Sequence, residues 1–295
     1  MCIKKNMKKT ALIFLSAILI VAAACKQVGS DKPVITVSIP PQKYFVERIA
    51  GDHFSVSIIS PPGSNHETYE PTPRQVMSTS KSKLFVMNGY LMFEEYLINR
   101  IQGSHECRIL DLSQNVDLIV GDVVDHGDHV HLYGVDPHFW LSLVEVRKQL
   151  PALLEALCEL APDKCNQFRD NYTAFMAEID SIDHVIREGF KAASTNKFLI
   201  YHPALAYFAR DYGLEQIALE QDGKEPTASH IRKIIDIARK ENISAIFMQN
   251  QFSTASAEAV AAEIEAEIIV MNPLPDDWLK GMYEMAKQLS EAMTK

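Results

Sequence analysis

The chain has 295 residues, 29 Lys+Arg against 38 Asp+Glu, and a formal net charge of −9. The four lysines of residues 1–24 face no acid there, so the remainder carries 25 basic against 38 acidic side chains, a charge of −13. A surface this acidic excludes a nucleic-acid partner, which needs a basic face, and is compatible with cations.

Lys4, Lys5, Lys8 and Lys9 precede the apolar run Ala11–Ala24, and Cys25 follows. That order is a secretory signal, too short for a comfortable membrane span. Ala22-Ala23-Ala24-Cys25 resembles a bacterial lipobox, which implies cleavage before Cys25 and lipidation of its thiol. The expected organisation is a signal at 1–24, a lipid-anchored tether at 25–32, a first lobe at 33–143, a helical segment at 144–195 and a second lobe at 196–295. Cleavage leaves 271 of the 295 residues outside the cytoplasm, enough for two ordinary cores.

From Pro33 the pattern alternates: strand Val34–Ile39, helix Gln42–Ala50, strand Phe54–Ser60, helix Pro73–Ser82, strand Lys83–Asn88, helix Glu94–Ile101. Arg108–Leu112 and Val116–Val120 are further short apolar runs. Then Asp125–Trp140 holds four of the ten histidines, His126, His129, His131 and His138, interleaved with Asp125, Asp128 and Asp136. Imidazole and carboxylate at this density suit borderline-soft divalent cations, although such runs are also common in solvated turns.

Beyond Trp140, Val144–Leu160 and Asp163–Lys191 read as helix, with Phe168, Tyr172, Phe175, Ile179, Ile182 and Ile186 three and four apart. The second helix, about 29 residues and roughly 43 Å long, is expected to join two lobes. Cys158 and Cys165 flank the break at Leu160-Ala161-Pro162-Asp163. They can meet across the bend in an oxidising compartment but not along one continuous helix, so the bridge stays open; Cys107 reads as a buried small hydrophobe. Alternation resumes with strands Lys197–Tyr201, Leu214–Leu219, Ser244–Met248 and Glu267–Met271 between helices Ala204–Tyr212, Ala228–Glu241, Ala255–Ala266 and Trp278–Met293. The expected fold is α/β: two lobes with parallel sheets flanked by helices, joined by one long rigid helix.

Ligands of open parallel sheets bind at strand exits. Four exits carry candidate groups about 64 to 72 residues apart: His66 and Glu67, His138, His202, and Asn272. Two per lobe would converge on an interlobe cleft.

Pro61-Pro62-Gly63 through Tyr69-Glu70-Pro71-Thr72-Pro73, Val135-Asp136-Pro137-His138-Phe139-Trp140-Leu141-Ser142, Tyr201-His202-Pro203-Ala204 with Tyr207-Phe208-Ala209 and Tyr212-Gly213-Leu214, and Gly223-Lys224-Glu225-Pro226-Thr227 carry a family resemblance. The chain resembles the zinc and manganese substrate-binding proteins of ABC importers over nearly its whole mature length. The resemblance implies one interlobe metal site, lipid anchoring outside the membrane and delivery of the ion to a permease. His138 and His202 fall on the family's second and third ligand positions. At the first, the family's histidine aligns with Glu67 while His66 stands one residue earlier; Glu67 is preferred because carboxylate oxygen is an acceptable zinc ligand. The fourth position, an Asp in many relatives, falls on Asn272, with water or Asp276 to complete the shell. Two imidazoles without that Asp tip the site toward Zn²⁺ over Mn²⁺.

Asp136 is the expected partner behind His138, Phe139 and Trp140 the core aromatics flooring the site, and His126, His129 and His131 an auxiliary capture loop. Glu225 reads as a solvated turn. The leading reading is a non-catalytic, monomeric, extracytoplasmic binding protein. A secreted zinc metallohydrolase would need a general base, and no His-Glu-x-x-His pairing is present. A surface adhesin with a structural metal is the third reading.

Overall fold

The computed structural model describes residues 32–103, 106–121, 134–220, 224–249 and 255–294, and the backbone of 124–125 and 130–131. The signal-like segment, Cys25, His126, His129 and the side chain of His131 lie outside the described residues.

The first lobe runs β1 (Val34–Val37), α1 (Pro40–Ala50), β2 (Ser55–Ile58), α2 (Pro73–Thr79), β3 (Leu84–Met87), α3 (Met92–Ile101) and β4 (Arg108–Asp111). Its four strands are parallel in the order β2-β1-β3-β4, with Ile35 paired to Val56 on one side and Leu84 on the other. Every residue of β3 is buried, as expected of a strand covered by helices on both faces. Local chemistry starts the helices. Pro40 opens α1, and Thr72 caps α2 by accepting the Gln75 N–H at 3.3 Å ahead of Pro73.

A short hairpin, β5 (Val124–Asp125) with β6 (Val130–His131), follows, then α4 (Leu143–Leu160) and α5 (Cys165–Gly189). The second lobe runs β7 (Lys197–Ile200), α6 (Ala206–Tyr212), β8 (Glu215–Ala218), α7 (Ala228–Lys240), β9 (Ala245–Gln249), α8 (Ala255–Ile264), β10 (Glu267–Met271) and α9 (Trp278–Thr294). Its sheet is parallel in the order β10-β9-β7-β8. In chain order the two sheets share one topology: the first strand pairs with the second on one side and the third on the other. Each lobe therefore has a switch point beside its first strand.

The apolar runs inside each lobe form strands where expected, with one exception. Val116–Val120 is not a strand; a 3-10 turn spans Leu112–Asn115, and Val120 makes only an isolated bridge to Val135. The backbone of this stretch is claimed by side chains instead, Asp117 N–H donating to Glu145 at 3.0 Å and Ile119 N–H to Tyr207 Oη at 3.0 Å. The long helix is also shorter than its apolar pattern predicts. Pro162–Lys164 and Phe190–Ala192 form 3-10 turns at its ends, and the 25 residues of α5 run roughly 37 Å. Cys158 and Cys165 are joined in a disulfide across the Pro162 turn, whereas Cys107 is half-buried with a free thiol.

Helix α5 packs on α1 and α4 and also on α9, so it touches both lobes. One hydrophobic cluster runs through them, from Ile35 and Leu84 of the first sheet to Phe198 and Phe247 of the second. At its middle Trp278 stands edge-on to Phe45, ring centres 5.0 Å apart, with Phe175 of α5 beside it. The two indoles lock the junction: Trp140 Nε1–H donates to Pro273 O at 2.8 Å, and Trp278 Nε1–H donates to Trp140 O at 2.7 Å. Replacing Trp278 by Phe leaves that buried carbonyl without a donor. The expected cost is roughly 1–3 kcal/mol, read as a lower urea midpoint at unchanged slope.

Candidate metal site

The loop leaving β2 is built to face the cleft. Ser64 N–H closes a turn on Pro61 O at 3.1 Å, and Gly63 takes φ +81°, a left-handed conformation that favours glycine. Asn65 Oδ1 then accepts the Glu67 N–H at 2.9 Å. This tight Asx turn brings both His66 and Glu67 to the cluster. Gln75 anchors the far end of the loop, its Nε2 donating to Ile59 O at 2.7 Å and to Tyr69 Oη at 2.9 Å.

His138 arrives from the segment after the β5–β6 hairpin. Asp136 Oδ1 accepts both its backbone N–H and its Nδ1–H, each at 2.8 Å, which turns the Nε2 lone pair into the cleft. The second lobe holds this segment in place. Tyr207 Oη donates to Asp136 O at 2.8 Å, and Arg210 Nη1 donates to Asp117 O at 2.8 Å. Trp140 packs against both rings, with centroids 5.2 Å from His66 and 5.1 Å from His138.

His202 stands at the exit of β7. Its Nδ1 meets Glu220 Oε2 at 3.1 Å, its carbonyl accepts from Gln249 Nε2 at 3.0 Å, and its Nε2 lies 3.1 Å from Glu67 Oε1.

The donor atoms therefore converge. His66 Nε2 is 3.2 Å from His138 Nε2, and Glu67 Oε1 is 4.0 Å from His138 Nε2. Potential ligand atoms of His66, Glu67 and His138 all lie within 4.8 Å of one another. A tetrahedral zinc ion with ligands at about 2.0–2.1 Å requires ligand–ligand edges of roughly 3.3–3.4 Å, close to what stands here. His66, His138 and His202 are 1%, 2% and 6% exposed, whereas the Glu67 side chain is 31% exposed. Glu67 is the wet member of the set.

Burial, reinforced by the neighbouring His138, drives the His66 imidazole down to about 3, so it is neutral at any ordinary pH. Burial raises Glu67, but the hydrogen bond and charge of His202 outweigh it and hold the carboxyl down at about 2. For His202, burial lowers the imidazole, yet bonding to Glu67 and the charges of Glu67 and Glu220 leave it raised above its ordinary value.

The structure thus brings His66 and Glu67 together, where the sequence offers them as alternatives. The side chain of Asn272 is exposed; its Oδ1 accepts the Leu274 N–H at 3.0 Å and makes no hydrogen bond to the four donors. Asp276 is exposed. Glu225 is exposed, as a solvated turn should be, and it also accepts Tyr201 Oη at 3.0 Å and Ser256 Oγ at 2.9 Å. Glu220 and Gln249 were not singled out in the sequence, although both sit at strand ends of the second lobe, the same signal that selects His202.

A histidine–carboxylate cluster between two parallel-sheet lobes is a candidate metal site. The chain belongs to the family of the zinc-uptake complex component A, periplasmic, whose model matches residues 35–292. It is 28% identical over 280 residues to the zinc-binding lipoprotein AdcA of Streptococcus pneumoniae, covering 91% of this chain but 56% of that protein. The chain thus spans about half the length of AdcA. Against the high-affinity zinc uptake system protein ZnuA of Bacillus subtilis it is 26% identical, covering 90% of this chain and 89% of the relative. The manganese-binding lipoprotein MntA of Halalkalibacterium halodurans is 24% identical, with 89% of each covered. Among solved structures, ZnuA superposes with a TM-score of 0.82 at 35% identity over 89% of this chain and all of that one. A zinc-bound ZnuA deletion mutant superposes at 0.81, also 35% identical, over 90% and 99%.

The His202 imidazole holds its proton to higher pH than a free imidazole does, and an incoming cation must displace that proton where it is present, whereas His66 is neutral. In the metal-free protein, His202 favours the fold below its unfolded pKa, and that contribution is lost as pH rises through its folded value. Zinc affinity is accordingly expected to weaken as pH falls through the raised His202 value, with proton release there on binding. Calorimetric titrations over roughly pH 6–8 in buffers of different ionisation enthalpy check this.

Proposed function

We propose that this chain is an extracytoplasmic substrate-binding protein that takes a divalent metal ion, Zn²⁺ in preference to Mn²⁺, into the interlobe cleft and delivers it to an ABC-type permease. The observation that carries the reading is the convergence of four donor groups, His66, Glu67, His138 and His202, from both lobes. Three imidazoles and one carboxylate are a borderline-soft, four-member set suited to tetrahedral zinc, while manganese favours oxygen-rich octahedral shells. Family membership and the named zinc- and manganese-binding relatives support the same class of cargo.

Mechanistically, the three imidazole Nε2 atoms and Glu67 Oε1 replace the ion's water shell. Exchange begins at Glu67, because the imidazoles are closed off from solvent. Lipidation at Cys25 would keep the monomeric protein at the membrane that houses its permease, and His126, His129 and His131 would serve as a low-affinity capture loop.

Protein purified without added metal is expected to retain zinc on elemental analysis and to prefer Zn²⁺ in competition titration against Mn²⁺. His138→Ala should lose more affinity than the roughly 10–100-fold that removing an outer partner costs. Metal-loaded protein that hydrolyses test esters or peptides, or that prefers manganese, would refute the reading. For the loop, replacing His126, His129 and His131 should slow metal loading from a chelator-limited medium; unchanged loading removes that role.

A further inference from the structure

Resting on the proposed metal-capture reading, we infer that Glu220 and Gln249 are positioning residues that fix the His202 imidazole in depth and rotation, and that this grip sets which ion the cleft prefers.

Equivalent strands of the two lobes supply equivalent grips. In the first lobe Asn88, one residue past the third strand of its sheet, donates Nδ2 to Pro137 O at 3.1 Å, while Asp136 holds the His138 ring from behind. In the second lobe Gln249, the last residue of the third strand, donates Nε2 to His202 O at 3.0 Å, while Glu220 holds the His202 ring from behind. Both histidines are thus held twice, by a carboxylate on Nδ1 and by an amide on a backbone carbonyl, that of His202 itself in one lobe and that of Pro137, just before His138, in the other. His66 has no such support among the described residues, where its buried Nδ1 finds no hydrogen-bond partner. Gln249 is fully buried and Glu220 nearly so, which makes the second grip dry and directional.

The asymmetry between the lobes gives this grip its consequence. His66, Glu67 and His138 all come from the chain before α4, so His202 is the second lobe's sole contribution to the four-donor set. If its ring turns about its outer torsion, Nε2 leaves, and a three-donor site with solvent access through Glu67 remains. Such a site completes itself with water and drifts toward the higher coordination that manganese tolerates and tetrahedral zinc does not require. Asn88 has a further brace. The buried Glu94 carboxylate accepts the N–H groups of Asn88 at 2.5 Å, Gly89 at 2.7 Å and Leu91 at 3.1 Å, and also the Ser38 hydroxyl. Gln249 has no such carboxylate among the described residues, so the second-lobe grip is the simpler one to perturb.

The test compares Glu220→Leu, Glu220→Gln and Gln249→Met in the full chain with wild type. Three measurements are made: competition titration with Zn²⁺ and with Mn²⁺, the visible spectrum of the Co²⁺ form, and the thermal midpoint of the chelated protein. Glu220→Leu is expected to weaken Zn²⁺ by about 10–100-fold and Mn²⁺ by less, with loss of the intense tetrahedral Co²⁺ bands. Glu220→Gln, whose amide oxygen still accepts Nδ1–H, should keep those bands with a smaller loss. Gln249→Met should fall between them.

Equal losses for Zn²⁺ and Mn²⁺, or affinities and Co²⁺ spectra unchanged well short of the roughly 10-fold expectation, would overturn the inference. If Glu220→Leu proves unfolded when chelated, the other two variants decide: an unchanged Zn²⁺-to-Mn²⁺ ratio in both overturns it. A wild type that prefers Mn²⁺ would fail the proposed zinc preference instead, while a changed ratio and Co²⁺ spectrum in the variants would still report the grip on His202.

Discussion

Two of the three imidazoles, His138 and His202, are each turned toward the cluster by a carboxylate behind the ring, and much of the structure around the site serves to hold those two carboxylates. With His66 and His138 facing each other nitrogen to nitrogen at 3.2 Å, a ring free to rotate would expose an N–H to solvent or to its own backbone. Asp136 and Glu220 remove that freedom by taking the Nδ1–H groups of His138 and His202. Those carboxylates must in turn be held. Asp136 is spanned by Tyr207, which reaches from the second lobe to its carbonyl, and Glu220 N–H is anchored on Tyr201 O at 2.9 Å.

The same demand explains why the lobes share a core. A cleft whose donors come from both sides keeps its edge lengths only if the sides do not drift, and a fraction of an ångström separates a tetrahedral edge from an open site. The reciprocal indole bonds of Trp140 and Trp278, the Phe45–Phe175–Trp278 ring cluster and the contacts of α5 with α1, α4 and α9 make that junction an interior rather than a hinge. Each lobe also carries lighter pieces outside that shared core. The β2 exit loop is one such piece. It carries the half-exposed Glu67 and is held by side chains, Asn65 at its centre and Gln75 at its end, rather than by sheet bonds.

Much of this was legible in the residues because strands and histidines announce themselves by period and chemistry. The alternation of β-branched runs with 3.6-residue stripes marks the two sheets, and strand-exit placement marks His202; His138 is expected at the exit of Val116–Val120, which forms no strand, and is legible instead from the histidines and carboxylates around it. Three things stayed hidden, each for a physical reason. Val116–Val120 has strand composition, but its N–H groups are taken by Glu145 and Tyr207, partners remote in sequence. His66 and Glu67 look like competitors because adjacent residues ordinarily point apart; only the Asx turn at Asn65 lets both face inward. Glu220 and Gln249 carry no motif, and their importance arises from tertiary proximity to His202 alone.

Formal charge bears on which ion the cleft could hold. Stripping a divalent ion of water costs far more than a few neutral donors return, and inside a protein the balance is met by formal charge. Glu67 supplies one negative charge directly, while Asp136 and Glu220 supply two more through the rings they hold. Three carboxylates against a double positive charge favour a dication without placing hard oxygens around it, since two of the three act from behind nitrogen. That arrangement would keep a bound ion's immediate shell nitrogen-rich, as the proposed zinc preference requires, and would leave Glu67 as the one anionic contact that water can reach and replace. In the proposed role, affinity and release would rest on different residues: Asp136 and Glu220 hold the site's charge and shape, and the more exposed Glu67 would give exchange a place to begin.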